Sequence, residues 1–305
     1  MKHVKRIALI VALLLVSIMG LSCAQQGSTS TGPIVVADML GREVKLDAPA
    51  KKVVAINAAD CEILYYIGVG DTLIGRGEYC NYPEEVLNVP AVQSGSETNI
   101  EQIIALKPEL VIMSTMAQKP EQAEMLANAG IAVYISDATT IEQAYQNIEL
   151  IGQLTGKTTE AEAAVDGMKK SFASISEKAA GAEGKTVYFE VSPLEYGLWT
   201  AGQGTFMNEI ATLVGLTNAF ADVQGWGEIS EEQVLARDPD YIVTTAMYFG
   251  EGMTPVEEIL SRTAWQGMKA IKNSNVVNAD TDEISRPGPR LVDAAQAISD
   301  FIYGE

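Results

Sequence analysis

The sequence predicts an α/β protein of two lobes, each a parallel sheet covered by helices, joined by one long helix. Three observations carry this. First, short apolar runs bounded by Gly and Pro alternate with helical segments along most of the chain, as in parallel-sheet folds. Second, one pattern occurs twice. Glu101–Ile112 (EQIIALKPELVI) and Glu232–Val243 (EQVLARDPDYIV) align without a gap at a constant offset of 131 residues. Each copy reads as a short helix, then Pro, an acidic residue and an apolar strand; the Pro cannot continue the helical ladder. Third, the stretch between the copies from Thr158 to about Ala180 is rich in Ala, Glu and Lys and carries no Pro or strand signal. It reads as a rigid connecting helix, which limits closure to a modest rocking.

Taken in order, Lys2, Lys5 and Arg6 precede an apolar run from Ile7 to Met19 and then Gly20-Leu21-Ser22-Cys23. This is a signal peptide over residues 1–22: a basic start, an apolar core too short to span a membrane permanently, and small residues at the cut. Cys23 in this place resembles the lipidated first residue of bacterial lipoproteins, although Gly20 stands where that signal usually has Leu. Residues 23–32, rich in Gly, Ser and Thr, read as a lipidated tether. The N-terminal lobe is expected over 33–152, with a hairpin at Val35-Val36 and Val44–Leu46, then strands at Val53–Asn57, Leu73–Gly75, Val111–Met113 and Val133–Ile135. Helices are expected at Asp60–Ile67 and Glu121–Asn128. The connecting helix takes 153–184 and the C-terminal lobe 185–305. In the latter, strands are expected at Thr186–Ser192 and Val276–Asn278. Helices are expected at Phe206–Val214, Val256–Leu260 and Pro289–Tyr303, with Pro289 in a first turn.

Composition removes whole classes of function. The 305 residues suit two domains, and the formal charge is −19. Residues 1–22 hold no acid, so the remainder carries 18 basic and 40 acidic residues, which argues against nucleic acid and against lying flat on anionic lipid. The sole histidine is His3, so the body has neither the usual general base nor the commonest ligand for a bare transition metal. No Ser-His-Asp or Cys-His site is possible there, no phosphate loop is present, and no metal or cofactor site is expected.

The helix starts of the repeat also correspond. Asn99 stands where Ser230 stands, each with a Gln three residues on, a capping-box spacing. Glu101 and Glu232 fall in the first turns, where a carboxylate also stabilises the helix dipole. The duplication adds a second reading: two lobes each present one carboxylate from the same structural position, and a partner of two-fold character can grip both.

Ligands of open α/β sheets bind at the carboxyl ends of strands, here the cleft where the two lobes face each other. The residues that follow strands are Glu78-Tyr79-Cys80-Asn81-Tyr82 and Ser94-Gly95-Ser96 in the first lobe, and Tyr196, Trp199, Trp226, Tyr248, Phe249 and Arg286 in the second. The aromatics favour a flat or bulky ligand. Arg286 and Arg290 are candidates for ligand carboxylates or for surface ion pairs. Cys61 and Cys80, on the same edge, are candidates for a disulfide or two free thiols.

Several stretches together resemble the substrate-binding lipoproteins of bacterial ABC importers for iron-siderophores, haem and cobalamin. They are Val53–Asn57, Glu78–Pro83, Asn99–Pro108, Trp226–Arg237 and Arg286–Arg290. The resemblance covers Val35 to the end. It implies two Rossmann-like lobes joined by one long rigid helix, a ligand cleft between the lobes, and little movement on binding. It implies that Glu101 and Glu232 dock onto arginines of the permease. Tyr79, Trp226 and Trp199 match positions that a cobalamin binder of the family uses around the corrin, and Gly95 stands where such a binder can carry a Trp. Haem is left only a Tyr or Met axial ligand, such as Tyr79 or Met247. The expected function is therefore extracytoplasmic capture of a metal chelate by Tyr79, Tyr82, Trp199, Trp226, Tyr248 and Arg286, and delivery to an ABC permease with its separate ATPase. The protein is expected to be a monomer, held to the membrane only through lipid on Cys23, and not an enzyme. The alternatives are an enzyme on the same scaffold, using carboxylates such as Glu190, Glu195, Asp282 or Glu283, and a surface adhesion or sensing lipoprotein.

Overall fold

The computed structural model describes residues 32–116, 118–179 and 184–304. The signal segment, Cys23 and the tether up to residue 31 lie outside the described residues.

Strands β1 (Ile34–Ala37) and β2 (Glu43–Leu46) form the expected antiparallel hairpin. Asp38 shapes its turn by accepting from the backbone amides of Leu40 and Arg42. The first lobe follows with β3 (Val53–Ala55), α1 (Ala58–Tyr66), β4 (Leu73–Gly77), β5 (Ala91–Val92), α2 (Ile100–Ala105), β6 (Leu110–Met113), α3 (Pro120–Asn128), β7 (Ala132–Ile135) and α4 (Ile141–Thr155). Its five strands lie in the order β5-β4-β3-β6-β7, all parallel. Because successive side chains point to opposite faces, each central strand feeds two cores. Val53, Ala55, Leu110 and Ile112 pack with Ile63 and Leu64 of α1 and Ile148 of α4. Val54, Val111 and Met113 pack with Ile103 of α2 and Leu126 of α3.

After α4, Gly156 turns the chain at φ +75° and the 21-residue α5 (Thr158–Lys178) begins. The two helices approach closely: a Cβ on Gly152 would lie 2.4 Å from that of Ala161. Ala161, Ala164, Val165, Met168, Phe172 and Ile175 form the buried stripe of α5 at helical spacing.

The second lobe contains β8 (Thr186–Glu190), β9 (Trp199–Ala201), α6 (Phe206–Leu213), β10 (Thr217–Asn218), β11 (Trp226–Glu228), α7 (Glu231–Arg237) and β12 (Tyr241–Thr244). It ends with α8 (Pro255–Ser261), α9 (Lys269–Lys272), β13 (Val276–Asn278), α10 (Thr281–Ser285) and α11 (Leu291–Tyr303). The sheet order is β10-β8-β12-β13, again parallel. α5 packs against α4 on one side and against α6 and α11 on the other, so one apolar core runs through both lobes.

The sequence repeat is a structural repeat. β6 and β12 stand at the 131-residue offset, and each lies inside its sheet, beside β3 and β8 respectively. Lys107 and Asp238 hold the left-handed conformation at φ 53° and 42°, which ends each helix just before its Pro. The acid after the Pro has a use that its sequence context does not show: it holds the start of the neighbouring strand. Glu109 accepts from the amides of Lys51 and Lys52, and Asp240 accepts from the amide of Thr186.

Some expectations differ from the structure. Pro289 lies outside the last helix, with Arg290 at its N-cap. The antiparallel pair β9–β11 and the five-residue α10 are not expected from the sequence.

Candidate functional site

The carboxyl edges of the two parallel sheets meet. The loop after β4 touches α10, where the Asn81 amide donates to Asp282 at 2.9 Å. The loop after β7 touches the start of α6, where the Phe206 amide donates to the Thr139 carbonyl at 2.7 Å. At the first of these contacts lies a cavity of about 520 Å³, lined by Asn81 from the first lobe and by Met247, Tyr248, Phe249 and Asn278–Asp282 from the second. A larger hollow of about 1000 Å³ lies beside the hairpin, lined by Lys51, Glu109 and Gly130 at the amino ends of β3, β6 and β7, with no aromatic ring. Parallel sheets present ligands at the other edge.

Around the cleft, large apolar side chains stand in water. Tyr79 is 74% exposed, Phe249 86%, and Tyr82, Met116, Tyr196, Trp199, Met247 and Tyr248 are also exposed. They come from loops after β4, β6, β8 and β12, or in the case of Trp199 from β9. Exposed aromatics gathered at one edge mark an interaction surface. Trp226 is half-buried and packs edge-on to Phe206 at 5.6 Å between centroids. The β9–β11 register pairs Trp226 with Ala201 and Glu228 with Trp199, so period-two alternation puts both tryptophans on one face of the ribbon.

Arg286, expected to meet a ligand, is already engaged by the protein: its guanidinium is 12% exposed. Nη1 donates to Glu62 and to Asn81, each at 2.7 Å, and Nη2 donates to Asp282 at 2.6 Å. Arg290 donates Nε and Nη2 to the same Glu62, at 2.9 and 2.7 Å, and stacks over the Tyr82 ring at 4.1 Å. Its bonds to Glu62 hold Arg290 above the usual guanidinium value, against its burial. Glu62 is buried in α1 of one lobe; both arginines belong to the other. A buried carboxylate needs such partners. The sequence signal for this tie is faint: an acid inside the apolar start of α1, and the four-residue spacing of Asp282, Arg286 and Arg290.

The disulfide alternative for Cys61 and Cys80 is also corrected: both are free and buried. Each thiol donates to the Ala55 carbonyl at the end of β3, at 3.5 and 3.9 Å, and burial pushes the Cys61 thiol well up. Nearby, Asp60 is buried and accepts from Ser136 at 2.5 Å and from the Asn147 amide at 3.0 Å. Among the described residues no group of three His, Cys, Asp or Glu side chains is placed to hold a metal ion.

Glu101 and Glu232 both lie in first turns and both are exposed. Their helix starts differ in one respect. Ser230 and Gln233 form a full capping box. Asn99 accepts from the Gln102 amide, but the Gln102 side chain turns to the Gln93 amide instead. Beside Glu232, Glu231 is taken by the buried Trp265, whose indole donates to it at 2.7 Å. Glu232 keeps its carboxyl below the usual range through its own backbone amide and the Ser230 hydroxyl.

The chain matches the family described as periplasmic binding protein over residues 53–283. It is similar to the uncharacterized ABC transporter substrate-binding lipoprotein YvrC of Bacillus subtilis, 32% identical over 314 residues and 98% of each chain. A vitamin B12-binding protein of Vibrio cholerae is 27% identical over 83% of this chain and 90% of that one. The crystal structure of a possible iron-binding (periplasmic solute-binding) protein from Staphylococcus epidermidis superposes with a TM-score of 0.71 at 29% identity, covering 83% of this chain and 99% of that one.

Proposed function

The chain belongs to the periplasmic binding protein family, and from that premise we propose that it captures a metal chelate outside the cytoplasm and delivers it to an ABC permease. The chelate is an iron-siderophore, a corrinoid or haem. The observation that carries this reading is the cleft edge itself, where Tyr79, Tyr82, Trp199, Tyr248 and Phe249 are exposed on both lobes. Flat ring faces bind a broad, partly apolar ligand without fixing it covalently. The body has no histidine to compete for the metal, which suits a ligand whose metal arrives fully coordinated.

Delivery uses Glu101 and Glu232 in this proposal. The two acids stand at equivalent places in the two lobes and meet arginines of the permease, with specificity set by charge complementarity. Lipid on Cys23 keeps the protein at the membrane surface, and a separate ATPase drives transport. No chemical step on the ligand is part of the reading. It is tested by titrating the purified full-length protein, in detergent, with cyanocobalamin, a ferric hydroxamate and haemin, and following the visible spectrum. A chelate that binds and is recovered unchanged supports the proposal; chemical conversion, or no binding by any of them, overturns it.

A further inference from the structure

The charge of the cleft narrows the class of chelate. Among the described residues in the loops that follow the parallel strands, the cations are Arg286, Arg290 and Lys119. Lys119 stands at the rim, 3.8 Å from Glu97. Arg76, at the end of β4, donates its guanidinium to the carbonyls of Val89, Gly77 and Cys80. The same loops carry Glu78, Asp137, Glu195, Glu251, Asp280 and Glu283. Everything then depends on whether Arg286 and Arg290 are available, and they are not. Glu62 takes one guanidinium bond from Arg286 and two from Arg290. Asp282 and Asn81 complete Arg286, and Glu283 lies 3.8 Å from Arg290. An anionic ligand group on either arginine would have to compete with bonds that also tie the two lobes, and would draw donors away from Glu62, 2% exposed.

We propose that Glu62 is a specificity-determining residue: by neutralising Arg286 and Arg290 it leaves an acidic, aromatic cleft that admits chelates with an uncharged or cationic periphery and rejects those bearing free carboxylates or multiple negative charges. Corrinoids with amide side chains and ferric hydroxamates fall in the first class. Haem, with two propionates, and ferric tris-catecholates fall in the second. Discrimination of this kind works by an unfavourable term against the wrong ligand as much as by attraction of the right one. The inference rests on the chelate-delivery reading above.

The test uses the full-length protein in detergent and the quenching of its tryptophan fluorescence. Four probes are titrated: cyanocobalamin, a ferric hydroxamate, haemin and a ferric tris-catecholate. At least one of the first two is expected to bind about ten-fold or more tightly than either of the others, the worth of one charge-assisted bond. Glu62→Gln is expected to raise haemin affinity about ten-fold while leaving the preferred uncharged chelate within about two-fold, since it releases guanidinium donors without removing an aromatic contact. Asp282→Asn releases one bond of Arg286 at a half-exposed position and leaves the buried Glu62 in place. It is expected to shift the same ratio in the same direction by less, and it serves if Glu62→Gln does not fold. Haemin or the catecholate binding wild type as tightly as the uncharged probes overturns the charge filter, as does an unchanged ratio in folded variants. If none of the four binds, the delivery reading itself fails.

Discussion

Asp60 sits in the first turn of α1 with no access to water, and burial pushes its carboxyl up to about 7, although the Ser136 hydroxyl and the Asn147 amide both act to lower it. The Asp137 carboxylate adds to the rise. The folded value stands above the unfolded value of 3.8, so the neutral acid favours the folded state. That contribution is complete below the unfolded value and is lost as pH climbs through the folded one. Asn mimics the neutral acid. Asp60→Asn is therefore expected to gain about 2 kcal/mol relative to wild type between pH 5 and pH 8, read as the difference in urea unfolding. A constant difference across that range would refute the assignment. Another buried carboxylate, Glu190, has a cationic partner. Glu190 accepts from Arg262 at 2.7 and 2.9 Å, and the two side chains are 1% and 4% exposed. Arg262→Met strands the carboxylate and is expected to cost about 3–5 kcal/mol. Adding Glu190→Gln should restore much of the loss, because the isolated charge, not the missing attraction, is the main penalty.

At the scale of elements, the two copies of the repeat end their helices in the same strained way but with different support. Lys107 holds φ 53° with no Cβ-free alternative, whereas Asp238 at φ 42° also accepts from the Lys269 amide at 2.8 Å. Lys107→Gly should stabilise by about 0.5–1 kcal/mol, while Asp238→Gly should gain less or lose, in thermal or urea unfolding. Equal effects at the two sites would count against the support that Asp238 draws from Lys269. The repeat is legible in the sequence because Pro, the acid after it and the apolar run are all local signals. α10 is not, since Thr281–Ser285 is a single turn held by the Asp280 side chain and has no apolar period of its own. Nor is the β9–β11 pair, whose strands are only three residues long, with Trp226 packed on Phe206. Tyr79, Tyr82, Trp199 and Tyr248 stand out in the sequence because each follows a strand-like run, and the structure leaves all four exposed. Glu62 is not: its arginines lie 224 and 228 residues away, and sequence alone shows only two arginines that look free for a ligand.

Over the whole molecule, the lobes are joined by α5, buried along one stripe between α4 and the pair α6 and α11. On the cleft side they are joined by the Glu62 cluster and by the bond from Phe206 to Thr139. Packed contacts on one side and charge-assisted bonds on the other both resist lobe movement. The proposed docking at two points needs rigid lobes, since the separation of Glu101 and Glu232 would have to match the partner in advance. The most direct measurement pairs two assays on the Glu101→Ala/Glu232→Ala double variant: affinity of the purified protein for the tightest-binding chelate, and uptake of that chelate by cells carrying the variant. Unchanged affinity is expected, with uptake reduced about ten-fold or more through loss of the two proposed interfacial charge pairs. Weakened affinity with uptake preserved would contradict the proposed docking.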